Sequence, residues 1–256
     1  MVEIETVDVE IECEGLRLRG VLYETPGPTS LVVMCHGIPL SVPDPSDPGY
    51  PGLARQLAAS GCSTLFVNLR GTGDSEGDFY MGGWYADLKE VVRYAREDLA
   101  GRFDGLYLGG FSAGGALSIM YAAEHGGVDG VAAFAAPARL TEVFPRDYCM
   151  SFIEGARETG IIKELHFPPT PDWFYDDIEK YDAIDFVSGV SPIPLLIVQG
   201  DDDETVPVEQ GRALFAAAGE PKEQCLLPGG KHRLRQDPRT LDCFLEWVGR
   251  LRNSQD

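Results

Sequence analysis

From residue 30 onward, short unbroken apolar runs alternate with amphipathic stretches, and few folds accommodate that rhythm. Residues 31–35, 64–68, 105–109, 128–134, 195–199 and 224–227 read as strands. Between them, residues 53–60, 84–99, 114–124, 208–218 and 240–251 carry apolar side chains at helical spacing. Strands without a polar face suit a parallel sheet covered on both sides. Strands alternating with helices require right-handed crossovers, so the expected architecture is a doubly wound, mostly parallel α/β sheet. Two runs with period-two alternation, 7–12 and 16–23, precede it around Glu14-Gly15 and predict a β-hairpin. At 256 residues the chain can bury roughly three quarters of its unfolded surface.

One segment interrupts the alternation. Residues 137–190 contain no clear strand but hold nine of the chain's aromatic residues, about twice the density found elsewhere. Proline at 168, 169 and 171 delays any helix until the last of them. The expected division is therefore an α/β core, 1–136 and 191–256, with a small helical cap inserted at 137–190. Phe144, Tyr148, Trp173 and Phe174 are the candidates for an apolar substrate-binding wall in that insert.

The strongest local signal is Gly110-Phe111-Ser112-Ala113-Gly114, directly after a strand and directly before a helix. A G-x-S-x-G turn in that setting presents a serine hydroxyl at the top of the sheet. Glycines two residues to either side remove the Cβ atoms that would collide at so sharp a turn. The helix that follows aims its N-terminal dipole at the oxyanion formed on attack.

A serine needs a base, and the chain offers four histidines. His36 follows an early strand, His125 ends the helix that starts beside Ser112, and His166 falls in the insert. His232 lies in a loop between the last strand and the last helix, and gives the Ser–acid–His order expected of this architecture. The acid belongs at the end of the strand 195–199, within Asp201-Asp202-Asp203-Glu204.

With these motifs the chain resembles the α/β-hydrolase family, especially its compact serine esterases and lipase-like members. The family often writes the acid turn as G-x-x-D-x-x-V-P, and Gly200 to Pro207 matches it with the acid at Asp203; Asp201 and Asp202 are the alternatives. Cys35-His36-Gly37-Ile38-Pro39 is similar to the family's H-G loop. That likeness implies an oxyanion hole from the backbone N–H groups of Ile38 and Ala113, with His36 architectural. Arg70-Gly71-Thr72-Gly73-Asp74-Ser75 matches a structural R-G-x-G-x-S turn, and it lacks the Lys-Ser/Thr pair of a phosphate loop. A departure is the proline-rich stretch 40–50, expected to be a long loop beside the oxyanion hole.

Composition narrows the partners. Twenty-one basic against 41 acidic residues give a formal charge of −20, which repels nucleic acid and anionic lipid. No run is long enough to span a bilayer and the N-terminus does not read as a signal peptide, so a cytoplasmic protein is expected. An acidic surface poor in lysine would suit a salty or hot cytoplasm. The six scattered cysteines have no metal-ligand spacing and read as buried apolar residues of a reducing compartment. No cofactor and no metal are implied, and a homodimer is compatible with the sequence. The expected activity is hydrolysis of a small-molecule carboxylic ester through an acyl-serine intermediate. Thioesterase or acyltransferase and aminopeptidase chemistry are the alternatives on the same fold, followed by a non-catalytic binding role. An aminopeptidase would need a carboxylate for the substrate amine, for which the insert offers Glu142, Glu154 and Glu158.

Overall fold

The computed structural model describes residues 3–27, 29–39, 41 and 46–253. The hairpin consists of β1 (Glu5–Cys13) and β2 (Leu16–Glu24), joined through Glu14 and Gly15, both at positive φ. That left-handed pair is the turn whose twist matches two flanking strands. Val9, Ile11 and Cys13 point inward while the residues between them face solvent.

Six further strands follow: β3 (Ser30–Cys35), β4 (Cys62–Val67), β5 (Gly105–Phe111), β6 (Gly130–Phe134), β7 (Leu195–Gly200) and β8 (Lys222–Leu227). They form one sheet in the order β1-β2-β4-β3-β5-β6-β7-β8. The β1–β2 and β2–β4 pairs are antiparallel and every other pair is parallel. All residues of β3, β4, β6 and β7 are buried, because both sheet faces are covered. Val32, Met34 and Phe66 pack under α1 (Gly49–Ala59) and α8 (Pro238–Asn253). Leu31, Val33 and Leu65 pack on the other face, with α2 (Met81–Glu97) and α3 (Ala113–His125). The chain builds toward one edge after β3 and toward the other after β5. At such a reversal the loops at the carboxyl ends of the strands part and leave a crevice.

Between β6 and β7 the chain forms α4 (Leu140–Val143), α5 (Cys149–Glu158), α6 (Pro171–Ile178) and short 3-10 turns. The α6 helix begins at Pro171, with the Thr170 hydroxyl accepting from the Trp173 N–H. Ile153, Phe174, Ile178 and Val187 of this segment are buried in the same cluster as the apolar faces of α2 and α3. The last two helices are α7 (Val208–Ala217), between β7 and β8, and α8.

The cysteine expectation needs correction. Cys13, Cys35, Cys62 and Cys149 are buried and free, but Cys225 of β8 and Cys243 of α8 are half-buried and disulfide-bonded. Their 18-residue separation spans one strand, a loop and a helix that folds back beside that strand, a juxtaposition spacing alone does not reveal. Among the described residues no helix is long and apolar enough to cross a membrane.

Candidate active site

Strand register brings the expected residues to one end of the sheet. Cys35 pairs with Gly110 across β3 and β5, so His36 and the loop after it rise beside Ser112. Gly200 pairs with Leu227 across β7 and β8, so the acid turn and the histidine loop emerge side by side.

Ser112 sits at φ 52° and ψ −125°, in the positive-φ region that a residue with a Cβ seldom enters. Its N–H is held by the Phe134 carbonyl at 2.8 Å. The turn closes because Gly114 has no side chain: a Cβ there would lie 2.4 Å from the His36 carbonyl oxygen and 2.6 Å from that of Cys35. The loops of the acid and the histidine touch in the same way. A Cβ on Gly200 would lie 2.1 Å from the Gly230 carbonyl oxygen.

Ser112, Asp203 and His232 come together. The Ser112 hydroxyl oxygen is 3.2 Å from His232 Nε2, and His232 Nδ1 is 2.9 Å from Asp203 Oδ2. Asp203 is buried, and its other oxygen accepts from the backbone N–H groups of Thr205 and Val206 at 2.9 and 2.8 Å. Gln199 Nε2 donates to Oδ2 at 3.1 Å. A carboxylate so anchored holds the imidazole with its proton on Nδ1, leaving Nε2 to accept from the serine. Asp201 and Asp202 point elsewhere but bind the same loop: Asp201 accepts from the Gly229 N–H at 2.6 Å, and Asp202 pairs with Lys231.

His36 occupies a different position. It is buried, and the Leu69 N–H donates to its Nε2 at 3.0 Å, so its Nδ1 carries the proton toward the Gly37 carbonyl at 3.0 Å. Burial pushes its pKa down to about 4, so the ring stays neutral at working pH. The Gly37 N–H is in turn held by the Tyr50 hydroxyl at 3.0 Å. The amides of Ile38 and Ala113 have no acceptor among the described residues. His125 packs against Tyr85 and Tyr121, and neither it nor His166 lines the cavity at Ser112.

That cavity has a volume of about 530 Å³. Its walls come from the loop after β3 (Ile38, Ser41, Asp47), Tyr50 at the start of α1, the turn after β4 (Asn68, Thr72, Gly73), Glu204 and Thr205 of the acid turn, and residues 232–235. No residue of 137–190 lines it, so the expected apolar wall is not part of this cavity. Phe174 is fully buried against Phe79 and Phe152, Phe144 packs on Phe152, and Trp173 lies against Tyr80 and Phe167. Tyr148 is exposed to solvent. Part of the aromatic enrichment goes into packing, because α6 folds onto α2 and Phe144, Phe152 and Phe174 pack together beneath it.

Sequence reasoning missed the wall that the structure supplies. Arg235 donates to both oxygens of Asp47, and Gln236 adds a third bond at 2.9 Å. The Arg235 guanidinium holds the Asp47 carboxyl well below the usual carboxylate range. This clamp ties the loop after β3 to the histidine loop across 188 residues of sequence. The one available signal was Arg233-Leu234-Arg235 beside His232, in a chain poor in basic residues. The middle of the expected proline-rich loop, Leu40 and residues 42–45, lies outside the described residues. The R-G-x-G-x-S turn is structural: Arg70 is buried and binds Asp87 through its guanidinium and its backbone N–H. Among the described residues no three His, Cys, Asp or Glu side chains gather as a metal site.

Known proteins resemble this chain in sequence and in fold. The model of the serine aminopeptidase S33 hydrolase family matches residues 26–155, half of the chain. The YfhR protein of Salmonella typhimurium, itself uncharacterized, is 29% identical over 180 residues, 70% of this chain. The match covers 58% of YfhR, so the chain spans little more than half the length of that relative. Rv2307c of Mycobacterium tuberculosis, also uncharacterized, is 28% identical over 246 residues, 92% of this chain and 74% of that protein. Among solved structures, the α/β hydrolase GrgF from Penicillium superposes with a TM-score of 0.74 at 21% identity, covering 96% of this chain and 98% of the other. Est1E from Butyrivibrio proteoclasticus, solved with ferulic acid, gives 0.70 at 22% identity over 96% and 98%. The Pyrococcus furiosus esterase Pf2001 gives 0.71 at 20% identity over 97% and 91%. At these identities the structural likeness speaks for the fold, and the family match for descent. The chain belongs to the serine aminopeptidase S33 family and has the α/β-hydrolase fold.

Proposed function

We propose that the protein hydrolyses carboxylic esters of small molecules, with Ser112 as nucleophile, His232 as general base and acid, and Asp203 orienting the imidazole. The observation that carries this reading is the unbroken Ser112–His232–Asp203 hydrogen-bond chain at the floor of an open cavity. Ser112 Oγ attacks the ester carbonyl while His232 Nε2 takes its proton. The oxyanion is bound by the Ile38 and Ala113 N–H groups, and the alcohol leaves with the proton from His232. Water then attacks the acyl-serine, giving its proton to His232 as the acid departs and Ser112 regains its own.

An ester is favoured over an amide because an alkoxide needs less assistance to leave than an amine. The carboxylates expected to bind a substrate amine, Glu142, Glu154 and Glu158, do not line the cavity. The test combines a fluorophosphonate probe with p-nitrophenyl esters from acetate to palmitate. Ser112 is expected to be labelled stoichiometrically, and Ser112→Ala to abolish turnover of every ester. Labelling at another residue, or undiminished hydrolysis by the variant, would remove Ser112 from the mechanism.

A further inference from the structure

The cavity beside Ser112 holds two guanidinium groups with opposite fates. Arg235 is half-buried and neutralised by Asp47, and its charge is spent in fastening the two loops together. Arg233 lines the same cavity but is exposed, and no carboxylate lies within 4.0 Å of it among the described residues. Among the described residues it hydrogen-bonds from Nη2 to the Ser41 hydroxyl oxygen at 2.9 Å. The other carboxylate of the lining, Glu204, forms no ion pair with either arginine. In a chain of formal charge −20, Arg233 is thus the guanidinium of this lining that no carboxylate among the described residues neutralises.

We propose that Arg233 and Ser41 form a subsite for a carboxylate carried by the ester, so that the substrate is a negatively charged half-ester or carboxy-ester. This rests on the ester-hydrolase reading of the same cavity. The chemistry fits a carboxylate in particular. A guanidinium presents parallel N–H donors to a planar two-oxygen anion, and Arg233 has given only part of that set to Ser41. The Ser41 hydroxyl accepts from Arg233 and keeps its own proton, a further donor for the same anion. One guanidinium balances one carboxylate charge, whereas a phosphate dianion would bring a second negative charge into a cavity that already contains Glu204.

The experiment compares kcat/KM for two matched pairs. p-Nitrophenyl hydrogen glutarate against p-nitrophenyl valerate places the charge on the acyl side. 4-Carboxyphenyl butyrate against 4-carbamoylphenyl butyrate places it on the leaving side. In at least one pair the wild type should prefer the charged ester by about tenfold or more, the scale of a charge-assisted hydrogen bond. Arg233→Gln should abolish or reverse that preference and Arg233→Lys should keep part of it. Arg212→Gln on α7, which removes an equal charge outside the cavity, should leave the ratio unaltered. Equal use of charged and neutral esters in both pairs, or a preference that survives Arg233→Gln, overturns the subsite. Absence of turnover for all four esters together with no fluorophosphonate labelling of Ser112 would instead strike the ester-hydrolase reading.

Discussion

Asp203 and its two neighbours are chemically alike, yet they meet different partners, and that difference can be measured. Asp203→Asn keeps the size of the side chain but can present an amide N–H to His232 Nδ1, forcing the wrong tautomer. Its kcat should fall on the order of 10³–10⁴-fold. Asp201→Asn and Asp202→Asn only loosen the loop that carries His232 and should cost about tenfold or less. A larger loss in either would reassign the acid. His36 gives a test in pH. Its folded pKa is about 4 against 6.5 for the ordinary group, so the unfolded chain takes up a proton first as the pH falls. Stability from the neutral ring is fully present above pH 6.5, and about 3 kcal/mol of it is lost as the pH drops toward 4. Urea denaturation between pH 7 and 4 should show that slope in the wild type and lack it in His36→Gln, the difference between the two isolating this residue. The three residues of the hydrogen-bonded chain were legible because each sits in a short local pattern beside a strand. Arg233 and Asp47 were not, because the walls they form depend on loops almost two hundred residues apart in sequence.

At the scale of elements, the six core strands and the five main helices follow from apolar periodicity, since a covered parallel sheet leaves no other arrangement for such runs. The segment 137–190 is helical and strand-free, as its lack of apolar runs predicts, but its sequence does not say which of its side chains reach the cavity. Periodicity over eight residues of α6 does not say which side of a short helix meets the core. Thr170 and Pro171 fix its first turn so that Phe174 turns inward and Trp173 turns out onto Tyr80. Phe174→Ala should therefore act on folding, costing about 3–5 kcal/mol, while Trp173→Ala should cost much less. Neither variant should change the ratio of kcat/KM between short- and long-chain esters. Thermal melts alongside an ester series would check both halves of that expectation, and a selective loss on long chains at unchanged Tm would return these residues to the pocket.

On the scale of the whole molecule, the three groups of the hydrogen-bonded chain hang from strands of unequal security. Ser112 follows β5, which is paired on both sides, whereas His232 follows β8, which borders one neighbour and closes the sheet at its edge. Five of the six residues of β8 are exposed or only partly buried. Edge elements open at lower free energy than the centre of a sheet. Amide hydrogen exchange should find the β8 protons less protected than those of β3 and β5. On slow heating, ester turnover should fade several degrees before the far-UV circular dichroism of the sheet collapses; coincident curves would mean that β8 and the centre melt as one. The imidazole thus hangs on the outermost plank of the deck, and the upper working temperature of the protein is set by when that plank lifts rather than by when the hull gives way.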